Sequence, residues 1–140
     1  MTQSQSSAPS AATLSARVLV GGLIAAGVNV ALLFGARALG VSMEGAFTPG
    51  QPAGVLPLPA VVLASLIPGI PAVILALLLI RFTKAPAKVF GIISVVFTIL
   101  SLAGPLGVAG ASLGTRAVME VMHVVAALGL GGSVYRTLRG

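Results

Sequence analysis

The sequence predicts an all-α fold, an integral membrane four-helix bundle running up-down-up-down behind a short N-terminal tail. Three observations lead there. Hydrophobic residues make up 57% of the chain and charged residues only 7%, against roughly 25% charged in an ordinary soluble domain, so a soluble fold of this size could not cover its own surface. Apolar stretches close to the ~20 residues a helix needs to cross a bilayer recur four times along the 140 residues. The basic residues stand at the borders of those stretches, where flanking Lys and Arg fix the orientation of membrane helices.

Residues 1–16 are rich in Ser, Gln, Ala and Thr and carry no charged side chain. Such a segment buries too little apolar area to order itself, and it reads as a disordered cytoplasmic tail whose removal through Leu14 should leave insertion and folding intact. Residues 17–140 form the membrane domain. Its first span covers about residues 18–36, bracketed by Arg17 and Arg37 and interrupted by Asn29. It reads as an anchor rather than a signal peptide, whose apolar region is usually shorter and follows a more basic start.

Residues 39–59 hold Gly40, Gly45, Pro49, Gly50, Pro52, Gly54, Pro57 and Pro59, which supply turns and stop helices. The second span covers about residues 60–80, and Pro68 and Pro71 should kink it because each removes a backbone donor. A short basic connection follows, with Arg81, Lys84, Pro86 and Lys88, and its brevity implies an antiparallel neighbour. The third span covers about residues 89–109, and a Gly, Ala and Ser stretch over residues 107–115 makes the next turn. The fourth covers about residues 117–134. Its Val and Leu residues outweigh the insertion cost of Glu120, which lies near an end where the penalty is smaller.

With four spans, Arg17, Arg81, Lys84, Lys88, Arg136 and Arg139 share one side and Arg37 and Arg116 the other. That division predicts a multi-pass protein of the cell membrane with both termini cytoplasmic. The same placement argues against nucleic acid as a partner, despite a formal net charge of +6, because the cations are not gathered on one face. The lipid bilayer is the expected surrounding. The chain has no Cys, which excludes disulfides and thiolate metal sites.

Small residues recur four apart: Gly22 and Ala26; Ala64, Pro68, Ala72 and Ala76; Ala127 and Gly131. This spacing lets helix backbones approach closely in lipid. Packing within the bundle is the expected use, and a homo-oligomer interface the alternative.

The candidate site is a polar cluster. Glu120 and His123 are three apart and share a helix face, and Arg116 precedes Glu120 by one turn, positioned for an interface ion pair. At 1.5 Å per residue, His123 lies roughly 10 Å below Arg116, and Asn29 lies at a similar depth below Arg37. Ser65 and Ser101 come within about a turn of that level. Asn29, Ser65, Ser101, Glu120 and His123 therefore form a candidate layer in the outer half of the bundle, with a His123–Asn29 hydrogen bond expected. An ionisable residue inside a span is a functional hypothesis by default, and structural neutralisation of Glu120 by Arg116 is the plain alternative.

No metal or cofactor is expected. Glu120-x-x-His123 superficially matches the di-iron bundle motif, which requires four carboxylates, and the chain has only Glu44 and Glu120. Met43, Met119, Met122 and His123 are soft enough for Cu(I), but apolar packing is the expected role of the methionines. One His and no Asp leave no hydrolytic triad, so no enzyme activity is expected.

Asn29, the run Ser65-Leu66-Ile67-Pro68, the basic connection with Val89-Phe90, and Thr115 with Met122-His123-Val124-Val125-Ala126-Ala127 together resemble an uncharacterised family of small four-span bacterial membrane proteins. That family is of actinobacterial type and is classed as a domain of unknown function. The resemblance implies the four-helix membrane fold and His123 as a signature position, and it implies no activity. The expected role is a non-enzymatic one, through helix contacts with a membrane-protein partner or a second copy. The alternative is binding or transport of a small molecule, ion or proton by the polar cluster.

Overall fold

A computed structural model describes residues 9–48 and 50–140. In chain order the elements are α1 (Ala11–Ala38), β1 (Glu44–Gly45), β2 (Gly54–Val55), α2 (Leu58–Leu66), α3 (Gly69–Phe82), α4 (Pro86–Ser101), α5 (Ala103–Leu106) and α6 (Leu113–Arg139). They make four stretches long and apolar enough to cross a membrane: Ala11–Ala38, Leu58–Phe82, Pro86–Leu106 and Leu113–Arg139. The all-α membrane bundle expected from the sequence is therefore the observed fold.

The first helix starts earlier than expected. Residues 1–8 of the expected tail lie outside the described residues, but residues 11–16 are helical. Two features explain the correction. Ser10 caps the helix, its Oγ accepting from Thr13 N at 3.1 Å, which satisfies one of the orphan donors of a first turn. Leu14 is then fully buried beside Val18, Ala76, Phe90, Leu130 and Val134. The fourth helix repeats the device, with Ser112 Oγ accepting from Thr115 N at 3.1 Å, so α6 begins at Leu113 and runs to Arg139.

The second span is broken once rather than kinked twice. α2 ends at Leu66, Pro68 stands in the break, and Pro71 falls in the first turn of α3, where its missing N–H has no intrahelical partner to lose. The third span is likewise two pieces, α4 and the single turn α5, with Leu102 between them. Pro86 opens α4 in its first turn, where proline's fixed φ suits a helix start.

α1 and α6 are the central pair and run antiparallel. Gly21 lies against Gly129, and a Cβ on Gly129 would stand 2.6 Å from Gly21 O, so neither position can carry a side chain at this backbone separation. Gly22 faces Leu66 and Leu130, and Gly131 faces Ser94 of α4, so these small residues serve packing within the bundle. The proposed stripe on the second span is split by the helix break: Ala76 is buried and Ala72 half-buried, whereas Ala64 and Pro68 are exposed.

Residues 39–57 are more than a run of turns. β1 and β2 pair antiparallel, Glu44 with Val55 and Gly45 with Gly54, and Ala46 N donates to Ala109 O at 2.9 Å. The segment so formed covers one end of the bundle, with Met43, fully buried at a φ of 50°, packed among Leu33, Ala36, Leu56, Val61 and Met122. Two apolar clusters thus hold the molecule, this one at the capped end and the Leu14 cluster at the other.

Candidate functional site

Asn29 sits on the face of α1 turned towards α2 and α6 and is only 2% exposed. Its Nδ2 donates both hydrogens, to Ser65 Oγ at 3.0 Å and to Met122 O at 3.1 Å. Ser65, equally buried, passes its own hydrogen to Val61 O at 2.8 Å. One amide thereby ties three spans together at one level. Hydrogen bonding across helices is worth roughly 0.6–2 kcal/mol in a membrane, and leaving such a group unpaired in hydrocarbon costs several kcal/mol.

The remaining residues of the expected cluster do not join this knot. His123 Nδ1 lies 2.8 Å from Met119 O, a turn earlier on its own helix. A carbonyl can only accept, so the ring hydrogen belongs on Nδ1, and Nε2 of the neutral ring remains an acceptor. The partner of Asn29 is the backbone of the residue before His123, and a single residue rotates a helix face by about 100°. Ser101 Oγ donates to Thr98 O at 2.7 Å on α4, which packs on α6 and α3. Glu120 is half-buried without an ion pair among the described residues.

Arg116 does not neutralise Glu120 either. Its Nη2 donates to Val108 O at 3.3 Å, and Arg37 Nη2 donates to Leu56 O at 2.7 Å. Both basic residues of this end thus fasten the segments that cover it. Sequence reasoning missed that role, although the Gly and Pro content of residues 39–57 and 104–110 is a signal: few side chains there can satisfy the backbone carbonyls, and the nearest cations are left to do so. Three buried polar atoms have no partner among the described residues: Asn29 Oδ1, Arg37 Nε and Arg116 Nε.

Among the described residues no group of three His, Asp or Glu side chains converges as a metal site requires. Met43, Met119 and Met122 do gather in one cluster, but with Leu33, Val61 and Val118 as neighbours, which is the apolar packing expected of them. The chemistry available at the Asn29 level is a donor pair already engaged and one carbonyl oxygen, Asn29 Oδ1, that still accepts.

Apolar faces on every long helix and a polar knot inside define a small helical membrane protein. The chain belongs to the family of unknown function DUF6069, whose model matches residues 9–140. No curated protein and no solved structure matches it.

Proposed function

We propose that this protein is a non-enzymatic component of the cell membrane that acts by helix contact, with another membrane protein or a second copy of itself. One observation carries the reading. On the lipid side of α1, Gly27 and Gly35 have nothing within 4 Å of where a Cβ would stand, and Ala31 between them is exposed. Glycine costs about 1 kcal/mol against alanine in a helix, and the bundle itself makes no use of these two. A partner helix would, because small residues four apart allow close backbone approach. In the bacterial setting expected of such proteins, the six basic residues at one end favour a cytoplasmic location for both termini.

The reading is tested by replacing Gly27 or Gly35 with Leu and following association in the bilayer by energy transfer and by copurification. Loss of association with unchanged thermal stability supports it; unchanged association removes it. Reporter fusions at both ends test orientation, and an extracytoplasmic signal from either one excludes it.

A second reading, binding of an ion, proton or small polar molecule, is favoured by Asn29 Oδ1, an unpartnered acceptor buried at mid-span. It ranks below the first because Ser65 and Met122 already occupy the donors of that amide.

A further inference from the structure

A groove of about 350 Å³ opens between α1 and α6 towards the end that carries six of the eight basic residues. Gly21 and Ser133 form its floor, Val20 and Ile24 its apolar side, and Arg17 and Arg136 both border it. The antiparallel packing of α1 on α6 puts the two arginines, which lie near opposite ends of the chain, at the same level.

The hydrogen-bonding character of the groove is one-sided. Ser133 Oγ already donates to Gly129 O at 2.6 Å, and Thr137 Oγ1, also at the groove, donates to Ser133 O at 2.7 Å. Among the described residues lining the groove, the remaining side-chain donors are the two guanidiniums. Both are exposed, and neither stacks on an aromatic ring, whereas Arg81 lies over Phe82 and Arg139 over Tyr135. No acidic residue lines the groove. Glu44 belongs to the capped end, and Glu120 lies 16 residues before Arg136 on the same helix, about 24 Å along its axis. A ligand here must accept hydrogen bonds, carry negative charge and offer an apolar portion to Val20 and Ile24.

We propose that this groove is a site for an acidic phospholipid, with the phosphate between Arg17 and Arg136 and the start of one acyl chain along Val20 and Ile24. Guanidinium groups match phosphate oxygens in geometry and charge, and paired cations at the headgroup level are a recurrent basis of anionic-lipid recognition. The pair therefore does more than orient the chain: it selects which lipid stands at the α1–α6 seam. Gly27, Ala31 and Gly35 continue the same face of α1 beyond Ile24 but do not line the groove, so the proposal does not rest on the helix-contact reading.

The test is native mass spectrometry of the full-length protein released from bilayers of equimolar phosphatidylglycerol and phosphatidylcholine, with retained lipid counted. The wild-type protein should retain phosphatidylglycerol about tenfold over phosphatidylcholine, and R17Q/R136Q should lose that preference, an effect of about 1.4 kcal/mol. R81Q/R139Q, which removes two charges elsewhere at the same end, should keep it. Inorganic phosphate at millimolar concentration should not displace the lipid, and V20W, which narrows the apolar side, should weaken lipid retention with both arginines in place. Equal retention of the two lipids by the wild-type protein overturns the proposal without recourse to any variant. Loss of preference in R81Q/R139Q as large as in R17Q/R136Q reduces it to diffuse surface charge, and displacement by phosphate reduces it to a simple anion site; either result overturns it.

Discussion

At the end of the bundle that carries Arg17, Arg81, Lys84, Lys88, Arg136 and Arg139, the helices meet through Leu14, Val18, Ala76, Phe90, Leu130 and Val134, and the cations stand outside that contact. The opposite end has only Arg37 and Arg116, and both are folded inwards, donating to Leu56 O and Val108 O in the segments that close it. Below them Asn29 binds Ser65 and the backbone of Met122. The first end is built from apolar packing with charge left for the surroundings, and the second from polar fastening. Identical residue types therefore do different work: arginine at the first end stands exposed beside the packed helices, and arginine at the second bonds backbone carbonyls of the Gly- and Pro-containing segments that close the bundle.

The largest test of this contrast is truncation of the apolar end. Removing residues 2–8 should change stability little, whereas removing residues 2–14 deletes the Ser10 cap and Leu14. The cap contributes about 1 kcal/mol and a buried Leu 2–5 kcal/mol when cut to Ala, so a loss of roughly 3 kcal/mol or more is expected in detergent-solubilised unfolding. This reverses the expectation drawn from composition, under which the longer deletion is harmless. Equal stability of the two truncated proteins would mean that Leu14 is not part of the packed end.

A direct comparison of the two ends comes from one substitution made at each. Arg37→Gln removes a charge-assisted bond to Leu56 O, worth roughly 1.5–3 kcal/mol, and should also raise protease sensitivity across residues 39–57. Arg81→Gln leaves no carbonyl unpaired and should stay within about 0.5 kcal/mol of wild type. Similar values for the two would erase the distinction between fastening and surrounding arginines.

How much of this was legible follows the same division. The four spans, their order and the segregation of cations were readable because they depend on apolar length and on charge beside it, which are local properties. Helix starts were readable in principle: Ser10-x-x-Thr13 and Ser112-x-x-Thr115 are capping patterns, outweighed in the tail by its polar composition. The capped end was not readable, because β1 and β2 are two residues each and Ala46 pairs with Ala109, a contact between segments far apart in sequence that no periodicity encodes. The polar layer was half readable. Depth along each helix puts Asn29 and Ser65 at one level, where they are hydrogen-bonded, since 1.5 Å per residue is fixed, but rotation about each axis depends on the neighbour, and it brings the carbonyl of Met122 to Asn29 and leaves the ring of His123 on its own helix.

The knot at Asn29 should give a smaller effect than Arg37. Asn29→Leu removes two hydrogen bonds and also the unpartnered Oδ1, so the net loss should be about 1 kcal/mol, within the range for bonds between membrane helices. Asn29→Asp keeps the size but places a carboxyl against the acceptor Met122 O, and should destabilise more than the Leu variant. The opposite order in thermal unfolding would mean that a donor reaches Oδ1 and that the polar layer is larger than the three groups now in it.

His123→Leu is expected to have the smallest effect, and it separates the two readings of the cluster. The ring bonds Met119 O, a carbonyl four residues back that also accepts from the helix backbone, so its loss leaves no buried group unpaired. The side chain is half-buried, and Leu fills similar space without a polar atom to desolvate. Stability should therefore remain within about 0.5 kcal/mol of wild type, clearly less than the change for Asn29→Leu. Because the chain lacks Cys, position can be read in the same protein: a cysteine pair at 29 and 122 should form a disulfide more readily than a pair at 29 and 123. A cost for His123→Leu equal to that for Asn29→Leu, together with preferred cross-linking of 29 to 123, would return the histidine to the knot and with it the case for a polar ligand held between α1, α2 and α6.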